Sequence, residues 1–351
     1  MKDFTWVSFP SRVVFGAGSV TRLPQEVEKL GAKRALVLST PGRAADVKRL
    51  TASLGERFAG LYDGAVMHVP LEVAEDARRA ARELAADCCV ALGGGSTIGL
   101  GKAIALTTGL PVIAVPTTYS GSEMTSAQGF VERGVKTVKL DSRMQPRTVI
   151  YDPELTLGLP PATSAASGMN AIAHCAEALY AKNSNPIVQL MAEEGIRALA
   201  KSLPVIVEKP NDIEARGEAL YGAWLAGVAL AAGGMALHHK LCHTLGGTWN
   251  LPHAETHSIV LPHALRYNRD AAPEAMARMA RAMGVRDAPA GVYDLEKQLG
   301  LKMRLADLGF SESELERAAK LATASPYPNP APVTYSGVLA LLRSAHAGLR
   351  P

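Results

Sequence analysis

Five histidines, His238, His239, His243, His253 and His257, crowd into one short stretch of a chain that has nine in all. A sixth, His174, stands four residues after Asn170, a spacing that places both side chains on one face of a helix. His239 and His243 share a face for the same reason. An isolated histidine is more often a core or surface residue. Imidazoles at this density, in an apolar helical stretch, point to metal ligation or to acid–base chemistry. Divalent iron or zinc takes neutral imidazoles together with a carboxylate. His174, His239 and His253 could supply three imidazoles, but the natural fourth donor, Asn170, is a neutral amide. Glu177 and Glu255 lie nearby in sequence, and nothing in the sequence turns either one inward. The cluster therefore reads as a metal site without its anion.

A second chemical feature is Gly93-Gly94-Gly95-Ser96. It follows the apolar run Cys89–Leu92 and opens a helix from Thr97. Glycines let a backbone approach a diphosphate without Cβ clashes, and the N–H groups and dipole of a helix N-terminus favour an anion. Ser96 is expected to donate a hydroxyl and to cap the helix. The alternative is a tight turn with no ligand, because the segment is not a G-x-G-x-x-G fingerprint. Pro116-Thr117-Thr118-Tyr119-Ser120-Gly121-Ser122-Glu123 follows the next apolar run. Its hydroxyls could bind the diphosphate and nicotinamide, or it is a surface loop.

The elements that must hold these groups differ between the two halves of the chain. In the first half, 34–38, 89–92, 111–115 and 148–151 read as buried strands alternating with helices over 73–87 and 97–106, the pattern of a parallel sheet covered on both faces. Beyond Pro153 long helices are expected over 164–182, 186–200, 212–230, 274–283, 295–308 and 312–323, with no convincing strand. At roughly 100–200 residues per domain, 351 residues make two. The expectation is an α/β dinucleotide-binding domain over 1–155 and an all-helical catalytic domain over 156–351.

Composition narrows the class. A net charge of +4 without a Lys/Arg run argues against nucleic acid. The four cysteines form no C-x-x-C pair and read as buried thiols. The N-terminus lacks a signal-peptide layout. Residues 219–237 carry no charge, but they are rich in Ala and Gly and run into His238, His239 and Lys240, so they read as a buried helix rather than a membrane span. A cytoplasmic enzyme with no membrane partner is expected.

Taken in order, Phe15-Gly16-x-Gly18, the glycine turn with Lys102, Pro116-Thr117-Thr118 with Gly121-Ser122-Glu123, Asp152-Pro153, Gly168-Met169-Asn170-Ala171-x-x-His174, His239-x3-His243-x9-His253 and Leu261-Pro262-His263 resemble the iron-containing (group III) alcohol dehydrogenase family over nearly the whole chain. The resemblance implies a dehydroquinate synthase-like fold, nicotinamide-dependent hydride transfer and a homodimer. It places the family's histidine ligands at His174, His239 and His253, and its cleft histidine at His243. Where the family has a ligand aspartate this chain has Asn170. Gly99 replaces the usual aspartate after the glycine turn, and no acidic residue stands near Ser39-Thr40, so use of both NADH and NADPH is expected.

The run Gly93–Lys102, Asn170 and Tyr327-Pro328-Asn329-Pro330 resemble a branch of that family acting in aromatic degradation. That branch reduces a carbon–carbon double bond conjugated to a ketone in a small dicarboxylate. Such chemistry can run on hydrogen-bond donors alone, and no metal is expected. His243, Lys240, His253 and Tyr327 are the catalytic candidates. Asn170, His174, His239, His257 and Lys136 are candidates for substrate binding, and Gly94, Gly95, Ser96, Thr117, Thr118, Ser120 and again Lys136 for the cofactor. The competing readings are a metal-dependent alcohol dehydrogenase, a lyase of the dehydroquinate synthase type, and a dinucleotide-binding protein without catalysis.

Overall fold

The structure, a computed structural model, describes Phe4 and residues 11–66, 69–132 and 135–351, without the side chains of 44–45, 130–132 and 135–137. Six parallel strands form one sheet in the order β1 (Arg12–Phe15), β8 (Thr148–Tyr151), β5 (Val112–Pro116), β4 (Cys88–Gly93), β2 (Ala35–Leu38) and β3 (Phe58–Tyr62). The central strands β2, β4, β5 and β8 are buried along their whole length. Strands covered on both faces must be apolar throughout, which is why they stand out in the sequence. The connecting helices include α1 (Leu23–Lys29), α2 (Ala44–Leu54), α3 (Leu71–Glu83) and α4 (Gly95–Thr108). Strand order turns back between β2 and β4, and in such sheets ligands gather beyond the strand C-termini at that point.

An antiparallel hairpin of β6 (Ala127–Glu132) and β7 (Val135–Leu140) was not anticipated. Its signal is the alternation Val135-Lys-Thr-Val138-Lys-Leu140.

Among the described residues everything after Tyr151 is helix, turn or loop. α5 (Pro161–Tyr180) packs with α6 (Pro186–Glu208) and α7 (Ile213–Gly233). Glycine makes this packing close: a Cβ on Gly195 would lie 2.8 Å from Cys175 Sγ, and one on Gly222 would lie 2.7 Å from Leu199 Cγ. α8 (Leu237–Trp249) and α9 (His253–Asn268) carry the histidines, followed by α10 (Pro273–Met283), α11 (Ala288–Gln298), α12 (Leu315–Thr323) and α13 (Tyr335–Ala347).

Two compact units meet at Leu159/Pro160 rather than after 155. Leu155 belongs to the core of the first unit, with Val14, Val90 and Ile150, and it draws the boundary downstream. The helix expected over 295–308 is a correction. α11 starts at Ala288, where Asp287 caps it by accepting from Ala290 N–H. It ends before Gly300, whose φ of 69° and the Leu301 N–H to Glu296 C=O bond close a left-handed cap. No single described helix is long and apolar enough to cross a membrane; α7 and α8 pass only as a pair bent by 100°.

Candidate functional site

The first site lies in the α/β unit. β4 and β5 are neighbours in register, Gly93 beside Pro116, so the segments after them come together. Thr117 N–H donates to Gly93 C=O at 3.1 Å. The turn is tight at its first two glycines. A Cβ on Gly93, whose φ is 155°, would overlap the Thr97 side chain, and one on Gly94 would lie 2.9 Å from Thr118 Cγ2. A Cβ on Gly95 would lie 3.7 Å from Ser120 Oγ.

Gly94, not Ser96, is the residue before the helix, and no side chain caps α4. The expected Ser96 cap is thus corrected: the helix begins one residue ahead of it, and Ser96 falls in the first turn. Thr97 Oγ1 and Thr117 Oγ1 are buried and lack a hydrogen-bond partner. A backbone cradle that a methyl would fill, with spare hydroxyls behind it, suits a diphosphate. The segments that carry Gly94, Gly95 and Ser96 and Thr117, Thr118 and Ser120 lie side by side. Lys136 lies on β7, and its side chain is outside the described residues.

Behind the turn, Lys102 on α4 is fully buried and donates to Ser122 C=O (2.5 Å), Ser122 Oγ (3.1 Å), Thr125 Oγ1 (2.9 Å) and Ala127 C=O (2.9 Å). Burial pushes its ammonium down to about 7, against the opposing pull of Glu123. The four oxygens around Nζ favour the charged form, so Lys102 ties the 122–127 loop to the helix of the glycine turn.

The second site lies in the helical unit. α5 brings in Asn170 and His174, α8 His238, His239, Lys240 and His243, and α9 His253 and His257. The rings form a continuous cluster. His174 stacks on His239 at 5.0 Å between centroids, His239 lies 4.9 Å from His257 and 5.9 Å from His243, and His253 lies 4.1 Å from His257. Burial pushes His174 and His257 well below the usual imidazole range, and neighbouring imidazoles add to the effect. Both are neutral near pH 7. Asn170 Oδ1, His174 Nδ1 and both ring nitrogens of His257 are buried without a hydrogen-bond partner, which marks polar groups awaiting a ligand.

Tyr327 joins the cluster from a loop beyond α12. Lys240 Nζ lies 5.8 Å from the centre of its ring. Its Oη is buried without a partner, and burial pushes the phenol upward, so it remains a donor.

Family models for the iron-containing alcohol dehydrogenases match residues 10–153, and for the C-terminal part of the same family residues 164–346. The chain belongs to the iron-containing alcohol dehydrogenase family. It is 54% identical over 351 residues, all of both chains, to a maleylacetate reductase of Burkholderia cepacia. A crystal structure of maleylacetate reductase from Agrobacterium tumefaciens matches with a TM-score of 0.97 and 51% identity, covering all of both chains. One from Ralstonia eutropha JMP134, provisionally named an alcohol dehydrogenase, matches with a TM-score of 0.99 and 57% identity over the same extent.

Members of this iron-containing alcohol dehydrogenase family work with nicotinamide cofactors, which accords with the glycine turn. The family's iron accords less well with the helical unit. The ligand positions present three imidazoles and an amide, with no anion to offset a dication in a buried pocket. Glu177, a fully buried carboxylate, is already engaged. It accepts from Ala236 N–H (2.8 Å), His238 N–H (2.7 Å) and His239 Nδ1 (2.7 Å). Burial pushes Glu177 upward while His238 and these donors pull it back. The nitrogens of His238, His239 and His257 lie within 4.8 Å of one another, but His238 Nε2 is committed to His257 C=O at 2.9 Å. The donors present do not fit a divalent iron.

His174, His239, His243, His253 and His257 are thus found in one cluster, Lys240 and Tyr327 lie against each other, and Asn170 sits one turn before His174 on α5. Sequence reasoning missed the roles of His238 and Glu177. Positions 170, 174 and 177 follow the i, i+4, i+7 stripe of one helix face, and that stripe was the available signal for Glu177.

Proposed function

We propose that this protein is an NAD(P)H-dependent maleylacetate reductase that turns over without a resident metal. The observation that carries the reading is Asn170: an amide with a buried, unpartnered Oδ1 where the family's iron would need an anion. Full-length identity to named maleylacetate reductases supports the substrate.

Maleylacetate carries a double bond conjugated to a ketone, between two carboxylates. NADH or NADPH, held at the glycine turn, supplies the hydride that saturates the alkene carbon beta to the ketone. As that bond forms, the π electrons move to the ketone oxygen and an enolate develops. Hydrogen-bond donors suffice to stabilise such an oxyanion. Lys240, His243, His253 and the Tyr327 phenol are the donors of the cluster. A proton delivered to the alpha carbon by one of these groups, His243 foremost, then gives 3-oxoadipate. Overall one hydride and one proton are consumed and NAD(P)⁺ is formed. The remaining polar groups, Asn170, His174, His239 and His257, face a dicarboxylate without adding negative charge. Lys136 is retained as a candidate cation for substrate or cofactor.

The reading is tested by following NADH and NADPH oxidation with maleylacetate, with and without chelator, beside metal analysis. Turnover should proceed with both cofactors, be indifferent to chelator and need no stoichiometric iron or zinc. Loss on chelation with metal-specific rescue would reject the metal-free reading, including the case of zinc on three imidazoles. A preference for NADH above about 10³-fold, which like-charge repulsion of a 2′-phosphate can impose, would reject dual cofactor use. Substitution of His243 by Ala should depress kcat by roughly 10²–10⁴-fold, the span of general acid–base catalysis, with cofactor affinity retained. Unchanged turnover would remove His243 from the chemistry.

A further inference from the structure

Between α12 and α13 the chain alternates proline with other residues, at Pro326, Pro328, Pro330 and Pro332. Each proline has a fixed φ and no N–H. Each residue before one, here Ser325, Tyr327, Asn329 and Ala331, is driven from the helical region into extended backbone. The stretch is stiff, and alternate missing donors stop it docking through a backbone ladder. Side chains must hold it in place.

Asn329 and Asn268 do so with paired amides. Asn268 Nδ2 donates to Asn329 Oδ1 at 3.0 Å, and Asn329 Nδ2 returns a bond to Asn268 Oδ1 at 2.7 Å. Asn329 Nδ2 also donates to Ala331 C=O at 2.8 Å, and its Oδ1 accepts from Leu237 N–H at 3.4 Å. Ala331 N–H reaches Asn268 Oδ1 at 3.3 Å. Asn268 is fully buried and is the last residue of α9, while Leu237 is the first of α8. One amide pair therefore joins the proline segment to the helix of His239, Lys240 and His243 and to the helix of His253 and His257. Tyr267 secures the outer end, its Oη donating to Pro332 C=O at 2.7 Å and accepting from Thr334 N–H at 3.2 Å.

The segment carries Tyr327, two residues before Asn329. Its buried hydroxyl lacks a partner and Lys240 lies against its ring. A phenol donor beside an ammonium suits a carboxylate or an enolate oxygen. We propose that Asn268 and Asn329 are positioning residues whose paired amides hold Tyr327 ready to hydrogen-bond the substrate. A donor ordered in advance spares the ordering cost on binding, and displacement of about 1 Å can cost on the order of 10²-fold in rate. The identity of the substrate rests on the reading as a maleylacetate reductase; the clamp itself does not.

The experiment compares Asn329→Ala, Tyr327→Phe and the double variant. It reads kcat and KM for maleylacetate, NADH affinity without substrate, and hydrogen exchange at the Leu237 and Ala331 amides. Asn329→Ala should lower kcat/KM by about 10–100-fold and leave NADH affinity in place. In the Tyr327→Phe background the same change should cost less than about threefold, because coupled residues are not additive. Both amides should exchange faster in Asn329→Ala. Asn329→Asp turns a carboxylate oxygen toward Asn268 Oδ1 and Ala331 C=O, which can only repel it, and it should lose at least as much as Asn329→Ala; Asn268→Ser serves where Asn329→Ala does not fold. Equal losses in both backgrounds, unchanged kcat/KM, or unchanged exchange at both amides would each overturn the proposal. If the native protein oxidises neither NADH nor NADPH with maleylacetate, the substrate reading falls, while the exchange measurement still decides whether the amide pair holds the segment.

Discussion

At residue 170, replacing the family's aspartate by asparagine keeps the shape of the side chain and removes its charge. Among neutral imidazoles that change decides whether the pocket suits a dication or an enolate. His174 and His257 are held neutral by burial, so they bring no charge of their own, and the anion that would offset a dication has to come from position 170. Reversing the change makes a prediction. Asn170→Asp should take up a divalent ion, seen as one bound zinc after dialysis and a raised Tm with zinc present. Its maleylacetate turnover should fall by about tenfold or more, since a carboxylate opposes the developing oxyanion and like-charge apposition costs several kcal/mol. Full turnover with no gain in metal would show that position 170 does not govern the chemistry.

At the scale of elements, the cofactor site depends on two adjacent strand ends. Gly94 is the point of closest approach, 2.9 Å from Thr118 Cγ2 for any added Cβ. Gly94→Ala should push the 117–120 segment away and weaken NADH binding by about tenfold or more, the effect of roughly 1–3 kcal/mol of overpacking. KM for maleylacetate should change little. Equal NADH affinity in fluorescence titration would mean that the turn does not contact the cofactor. This turn was legible because glycines at the end of a buried apolar run have few other reasons to be there. β2, β4, β5 and β8 were legible for the same reason, being covered on both faces. β1 and β3 are edge strands with partly exposed residues, and their patterns are too short and mixed to separate from loop. The histidine positions could be read from spacing, because a helix repeats. The Asn268–Asn329 pair could not, because it spans 61 residues and depends on tertiary packing.

At the scale of the whole molecule, one buried carboxyl group among the described residues has no evident use. Glu296 on α11 is fully buried, and neither carboxylate oxygen has a hydrogen-bond partner. Burial alone raises its pKa well above the ordinary carboxylate value. The folded protein therefore holds a proton there that the unfolded chain releases above about pH 4.3. Over the interval between the unfolded and folded values the native state binds more protons, so this residue's contribution to stability falls as pH rises. Glu296→Met removes both the stranded polar group and its titration. The variant should gain about 1–3 kcal/mol, the usual cost of a buried unsatisfied group. In thermal denaturation its Tm advantage over the native protein should widen as pH rises above about 4.3, the unfolded carboxyl value. The difference between the two proteins isolates Glu296 from His174 and His257. Their depressed values act with the opposite sign, removing stability as pH falls, and they contribute equally to both. A variant less stable at every pH, or an advantage that does not change with pH, would mean that Glu296 is held by a favourable environment rather than tolerated.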